Sequence, residues 1–213
     1  MKKSLLAMLF MTSFGLAACS NDSPASLQQK LEQQVKGEEK AYTLADQRAR
    51  KDEISVNTYQ AVLDAGAEEI KRARNEREEL EALNVERLSL LKQEETLRKK
   101  TYAELDLDDI KDAVNQLDGK AKLEGTTLLT LIKQREQTFD TFVKTYRQSI
   151  AAEKKVLSRL TEKPDFVKID ESTADLNRLS RKATASLKKW NRLTVQYNQT
   201  KTRLYHLLDT STQ

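Results

Sequence analysis

Along the last part of the chain, Leu176, Ala183, Trp190, Tyr197 and Leu204 recur at seven-residue intervals, with Leu179, Leu187, Leu193 and Leu207 between them. That spacing draws one apolar stripe along an α-helix and marks helices packed at small crossing angles. A second series, Ile132, Phe139, Tyr146 and Leu160, is interrupted by Glu153 and flanked by Phe142, Val143, Ile150, Val156 and Leu157. Nearer the amino end, Val35, Tyr42, Ala49, Val56 and Leu63 define a third seam, with Ala45 and Tyr59 alongside. Between these stretches, Ile70, Leu80, Leu83, Leu88, Leu91, Leu97, Tyr102, Leu105, Ile110, Val114 and Leu117 drift across the helix face. A break near residues 105–109 fits that drift, because an aspartate there can cap a new helix.

Breaker residues divide the chain. Beyond residue 18 only Pro24, Gly37, Gly66, Gly119, Gly125 and Pro164 could interrupt a helix, too few for a loop-rich or all-β design. Ser26 can cap the first helix and Gly66 end it in a left-handed conformation. Residues 116–119 supply turn chemistry, Pro164 ends the third helix, and 170–175 are rich in N-cap residues and in acids suited to a first turn. Helices are therefore predicted over about 26–64, 67–115, 120–162 and 171–209. Short turns join them, so the expected fold is all-α, an elongated up-and-down antiparallel bundle of four long helices within 26–213. A three-helix, spectrin-like arrangement with one longer bent helix is the alternative. In the four-helix form both chain ends lie at one pole.

The first 18 residues have a different pattern. Lys2 and Lys3 precede a 13-residue apolar segment, Ser4–Leu16. A span needs about 20 such residues, so 1–18 fit a signal peptide rather than a membrane helix. Leu16, Ala17, Ala18 and Cys19 resemble the bacterial lipobox, and by that resemblance Cys19 receives a diacylglycerol on its sulfur and becomes the mature amino terminus. No second cysteine exists for an internal disulfide, and the polar residues directly after Cys19 do not suit a buried thiol. Residues 19–25 then form a lipidated tether, with the membrane as partner.

Composition narrows the function. Hydrophobic residues make up 38% and aromatics 6%, a profile of long helices with narrow apolar seams. Net charge is +4, and loss of Lys2 and Lys3 with the leader leaves +2, so no nucleic-acid role follows from charge. His206 is the only histidine, which excludes multi-histidine metal sites and weakens acid–base or triad proposals. Near a helix end it suits carbonyl or solvent contact better than catalysis. The glycines stand alone and form no phosphate loop, and Glu78–Glu79 and Asp108–Asp109 suit solvated helix faces. No catalytic residue, cofactor or metal is expected.

The charge distribution carries one further signal. Between Asn177 and Leu208 stand Arg178, Arg181, Lys182, Lys188, Lys189, Arg192, Lys201 and Arg203, with no acid among them. The six from 178 to 192 lie off the apolar seam. Two readings stay open: the basic helix screens the acid-rich stretch from Asp64 to Asp112, or it contacts an anionic wall polymer or phospholipid headgroups.

The order and spacing of "LAAC", "LEQQVKGEEKAYTLADQRARKDEISVNTYQAVLDAG", "NVERLSLLKQEE", "LLTLIKQREQTFDTFVKTYRQSI" and "NRLTVQYNQTKTRLYHLL" resemble the YkyA-like family of cell-wall-binding lipoproteins of Gram-positive bacteria. The resemblance covers essentially the whole mature chain. It implies an all-helical, lipid-anchored bundle at the outer face of the cell membrane without catalytic residues. The implied partners are envelope components such as peptidoglycan or teichoic acid. The rival expectation is a protein-interaction scaffold, or a chaperone-like accessory, that docks an exported protein on a helix face. Cys19→Ser should release the protein from membranes into the soluble fraction, as fractionation of cells expressing the variant will show. Retention that only detergent reverses would contradict the anchor.

Overall fold

The computed structural model describes residues 24–65, 70–160 and 165–210. Cys19 with Leu16, Ala17 and Ala18, the expected Gly66 cap and the Pro164 turn lie outside the described residues. Within them run α1 (Pro24–Ala65), α2 (Ile70–Glu104), α3 (Leu107–Asn115), α4 (Gly119–Arg159) and α5 (Phe166–Thr210).

Two antiparallel hairpins build the bundle: α1 with α2, and α4 with α5. In the first, Arg48 meets Glu94 at 3.3 Å and Lys51 meets Glu86 at 2.6 Å, so residue numbers rise on one helix as they fall on the other. In the second, Arg203 meets Glu124 at 2.9 Å while Leu176 packs with Ala152 and Val156. The hairpins stand side by side, α1 beside α5 through Tyr197–Gln34 at 2.9 Å and α2 beside α4 through Arg147–Glu95 at 2.6 Å. The order around the bundle is thus α1, α2, α4, α5, with α2 and α5 diagonal. At one pole Gln28 donates to Asp209 at 3.2 Å and Tyr205 to Glu32 at 2.9 Å, so the start of α1 and the end of α5 meet as expected.

The predicted break falls at Leu105–Asp106. Asp106 is extended (φ −66°, ψ 97°), and its Oδ1 accepts the N–H groups of Asp108 and Asp109, each at 3.1 Å. This cap opens α3, whose buried Ile110, Ala113 and Val114 help close the pole where α1 begins. A Cβ on Gly125 would lie 2.8 Å from Val114 Cγ2, so the absent side chain lets α4 approach α3. Gly119 begins α4 at φ +52°, a conformation other residues rarely adopt.

Four long helices exclude the spectrin-like alternative, but several details need correction. The predicted helix over 67–115 is two, α2 and α3. The helix predicted from 171 begins at Phe166, because Asp165 Oδ1 accepts the Lys168 N–H at 3.2 Å and does the capping expected of later residues. The seam of α1 lies one residue earlier than predicted: Leu27, Gln34, Ala41, Arg48, Ser55 and Val62 are buried, whereas Val56 is 68% exposed and Tyr42 39% exposed. Polar side chains hold half of that seam, so the apolar residues beside it misplace the stripe. Glu153 does not interrupt the α4 seam but continues it as a buried residue. In α5 the series Leu176, Ala183, Trp190, Tyr197 and Leu204 is buried as predicted.

Trp190 sits mid-bundle, its ring centroid 5.7 Å from that of Phe139. Because it is only 4% exposed, Trp190→Ala should cost about 3–5 kcal/mol. Urea or thermal unfolding checks this, and an unchanged transition would place the ring outside the core.

Candidate functional site

The interior between the hairpins is not purely apolar. Four arginines, Arg48, Arg87, Arg98 and Arg135, are buried along the bundle axis beside the acids Glu38, Glu94, Glu153 and the half-buried Asp52. Nearest the chain termini, Glu38 accepts from Gln34 at 3.0 Å, from Tyr42 at 3.1 Å and from Arg135 Nη2 at 2.7 Å. Glu94 then takes Arg98 Nε at 3.1 Å and Arg48 Nε at 3.3 Å. Farther along, Arg48 reaches Asp52 at 3.2 Å, and Arg87 binds Asp52 at 2.8 Å, Glu153 at 3.1 Å and Ser55 at 2.7 Å. Four cations therefore face four anions, and the chain of contacts is continuous.

The guanidinium planes lie on aromatic rings. Arg48 stands 4.8 Å from the Phe142 centroid, Arg98 4.4 Å from Trp190 and Arg135 4.5 Å from Tyr197. Such stacking replaces part of the lost hydration. Burial opposes the charge on Arg87, but Tyr146, Glu153 and Asp52 outweigh it and raise its pKa, so it stays cationic. Burial raises Tyr146, with Asp52 adding to the effect, and its phenol remains a donor to Asp52. Arg87 is 7% exposed and carries ion pairs to Asp52 and Glu153 within this spine. The spine positions helices.

The outer face of α5 is different. Arg178, Arg181, Lys182, Lys188, Lys189 and Arg192 are all exposed. Arg178 pairs with Asp175 on its own helix at 3.0 Å, and among the described residues no carboxylate pairs with the other five. Among the described residues no ion pair joins these cations to α2, which lies diagonal to α5 across the bundle. Arg181 and Lys188 instead line a shallow surface concavity with Asn177, Ser180 and Thr184.

Charge is divided by hairpin. The α4 and α5 segments hold 18 basic and 8 acidic residues, whereas α1 and α2 hold 15 of each. Within α1–α2, many acids are neutralised by neighbours, as in Lys99–Glu95 at 2.8 Å and Arg77–Glu81 at 2.9 Å. The cationic excess is left on the side formed by α4 and α5. Sequence reading located the basic run of α5 from Arg178 to Arg203, but missed the contribution of α4, where Lys133, Lys144, Lys154 and Lys155 are exposed without an adjoining acid-free run. The buried spine was missed altogether; its signal was the seven-residue spacing of Glu94 and Arg87 with Leu80, and of Arg98 and Asn84 with Leu91 and Leu105.

Among the described residues no group of histidine, cysteine and carboxylate side chains could hold a metal ion, and no helix is long and apolar enough to cross a membrane. A family model described as "YkyA: Putative cell-wall binding lipoprotein" matches residues 23–207. No curated protein matches the chain, and no solved structure matches it.

Proposed function

The chain belongs to the YkyA family, and from that premise we propose that it is a non-enzymatic lipoprotein, anchored through Cys19 at the outer face of the cell membrane, which holds anionic cell-wall polymer against its α4–α5 side. The observation that carries this reading is the cationic excess on one hairpin, with Arg181, Lys182, Lys188, Lys189 and Arg192 exposed and without acidic partners among the described residues. Long-range attraction of a flexible polyanion needs this kind of one-sided field rather than a shaped pocket.

Geometry favours wall polymer over phospholipid headgroups in this reading. Pro24 opens α1 five residues after Cys19, so the pole holding both chain ends stands at the membrane. Thr194 is tied through Arg135 to the level of Glu38, and Leu176 packs with Tyr59 and Ala152. At about 1.5 Å per residue, the basic stripe therefore runs from roughly 20 to 50 Å above the start of α1. The headgroup layer is only about 5–8 Å deep, so an upright bundle carries the stripe past it. Teichoic acid, a phosphate-bearing polymer, has the matching charge; uncharged glycan does not.

A protein-docking role draws on the far pole, where Phe166 and Val167 are exposed. Co-sedimentation with wall material containing or stripped of teichoic acid separates the readings. Binding to the teichoic-acid form should fall steeply with added salt, and Lys188→Glu with Lys189→Glu should weaken it more than tenfold, taking about 1 kcal/mol for each cation near an anionic surface. Salt-independent binding, equal binding to stripped wall, or capture of one protein partner without wall retention would contradict the proposal.

A further inference from the structure

A second place in the molecule has a donor surplus, and it lies between α1 and α5 rather than on the outer face of α5. Gln34, Glu38 and Tyr42 of α1 and Thr194, Tyr197 and Asn198 of α5 border a concavity of about 250 Å³ with Arg135 of α4 as part of its lining. Arg135 is 1% exposed. Its Nε donates to Thr194 at 3.2 Å and its Nη2 to Glu38 at 2.7 Å, but its Nη1 has no protein acceptor.

The neighbours repeat the imbalance. Arg98, also 1% exposed, has no acceptor at Nη1 or Nη2, although Nη1 lies within ion-pair range of Glu38 at 3.8 Å. The buried Trp190 Nε1 and Tyr102 hydroxyl are likewise unpartnered. On the acceptor side stands Glu38, whose two oxygens already serve Gln34, Tyr42 and Arg135. Glu38 matches Arg135 at 2.7 Å and Glu94 matches Arg98 at 3.1 Å, so the surplus at this level is one of hydrogen-bond donors rather than of charge. Buried donors without acceptors are costly, and the group that complements them brings several acceptor atoms and negative charge.

We infer that the α1–α5 concavity is a binding site for a compact oxyanion, a phosphoryl or carboxylate group, held by Arg135, the lining residue whose Nη1 lacks an acceptor. Burial keeps Tyr102 and Tyr197 protonated, and Glu38 with the nearby phenols keeps Arg135 cationic against its burial, so the donor surplus persists at neutral pH. The concavity admits a headgroup or chain end and is too small for a folded partner. This site does not depend on the outer face of α5 or on the wall-polymer reading.

Trp190, the only tryptophan, reports on the site through Arg135, whose guanidinium lies 5.8 Å from its ring centroid. The full-length protein is titrated with inorganic phosphate and, separately, with acetate, at ionic strength held constant with sodium chloride, while Trp190 emission is followed. A saturable change with either probe is expected. Phosphate alone marks a phosphoryl site and acetate alone a carboxylate site. Asn198→Phe, at an exposed rim position, should plug the mouth and abolish the response without altering the melting transition. Arg135→Lys should weaken it about tenfold or more through loss of the planar donor fork. If neither probe gives a saturable change, or if Asn198→Phe responds like the parent protein, internal water completes these donors and the site does not exist. The rim variant decides the matter even if Arg135→Lys fails to fold.

Discussion

Four arginines in the interior of a helical bundle must each find an anion, and that requirement governs how the two hairpins of this protein meet. Removing a guanidinium from water is costly unless its donors and charge are both matched. Here Glu38, Glu94, Asp52 and Glu153 supply the match, and Phe139, Phe142, Tyr146, Trp190 and Tyr197 supply ring faces for the planar cations. Most acids and arginines come from α1–α2, most rings from α4–α5. The joint is therefore a polar surface laid on an aromatic one, and a one-residue slip of any helix would strand charges.

That division of labour also sorts the exposed charge. The α1–α2 hairpin spends its acids inward on the spine and outward on local ion pairs, and carries no net charge. The aromatic hairpin has few acids, so many of its outward cations, Arg181, Lys182, Lys188, Lys189 and Arg192 among them, have no acidic partner among the described residues. The same economy that assembles the core leaves one side of the rod positive, the side on which the proposed wall binding rests. Around Glu38 the spine is itself uneven, with guanidinium donors of Arg98 and Arg135 left without acceptors where the groove between α1 and α5 reaches Arg135.

The legible parts of the fold were those where apolar side chains occupy the seam themselves. The series from Leu176 to Leu204 located the buried stripe of α5 without error, and Asp106 capped α3 where an aspartate was expected to do so. In α1 the stripe was displaced by one position, because Gln34, Arg48 and Ser55 hold seam sites while Val35 and Val56 flank them. In α2, Arg87, Glu94 and Arg98 turn a regular seven-residue repeat into an apparent drift of leucines. A periodicity test blind to residue polarity finds the repeat; a hydrophobic one cannot. The basic residues of α5 were visible as an acid-free run, but that α2 lies diagonal to them depends on the order of helices around the bundle, which no local pattern encodes.

A double-mutant cycle on Arg87 and Glu153 tests the spine most directly, with Arg87→Met, Glu153→Leu and the pair measured by urea unfolding. Glu153→Leu alone should cost about 1–3 kcal/mol by leaving the buried Arg87 with Asp52 as its one remaining carboxylate partner among the described residues, and the double variant should recover most of that loss. Single variants that each cost less than about 0.5 kcal/mol and add without coupling would mean that these charges are solvated, and the hairpins would then be joined by their apolar contacts alone.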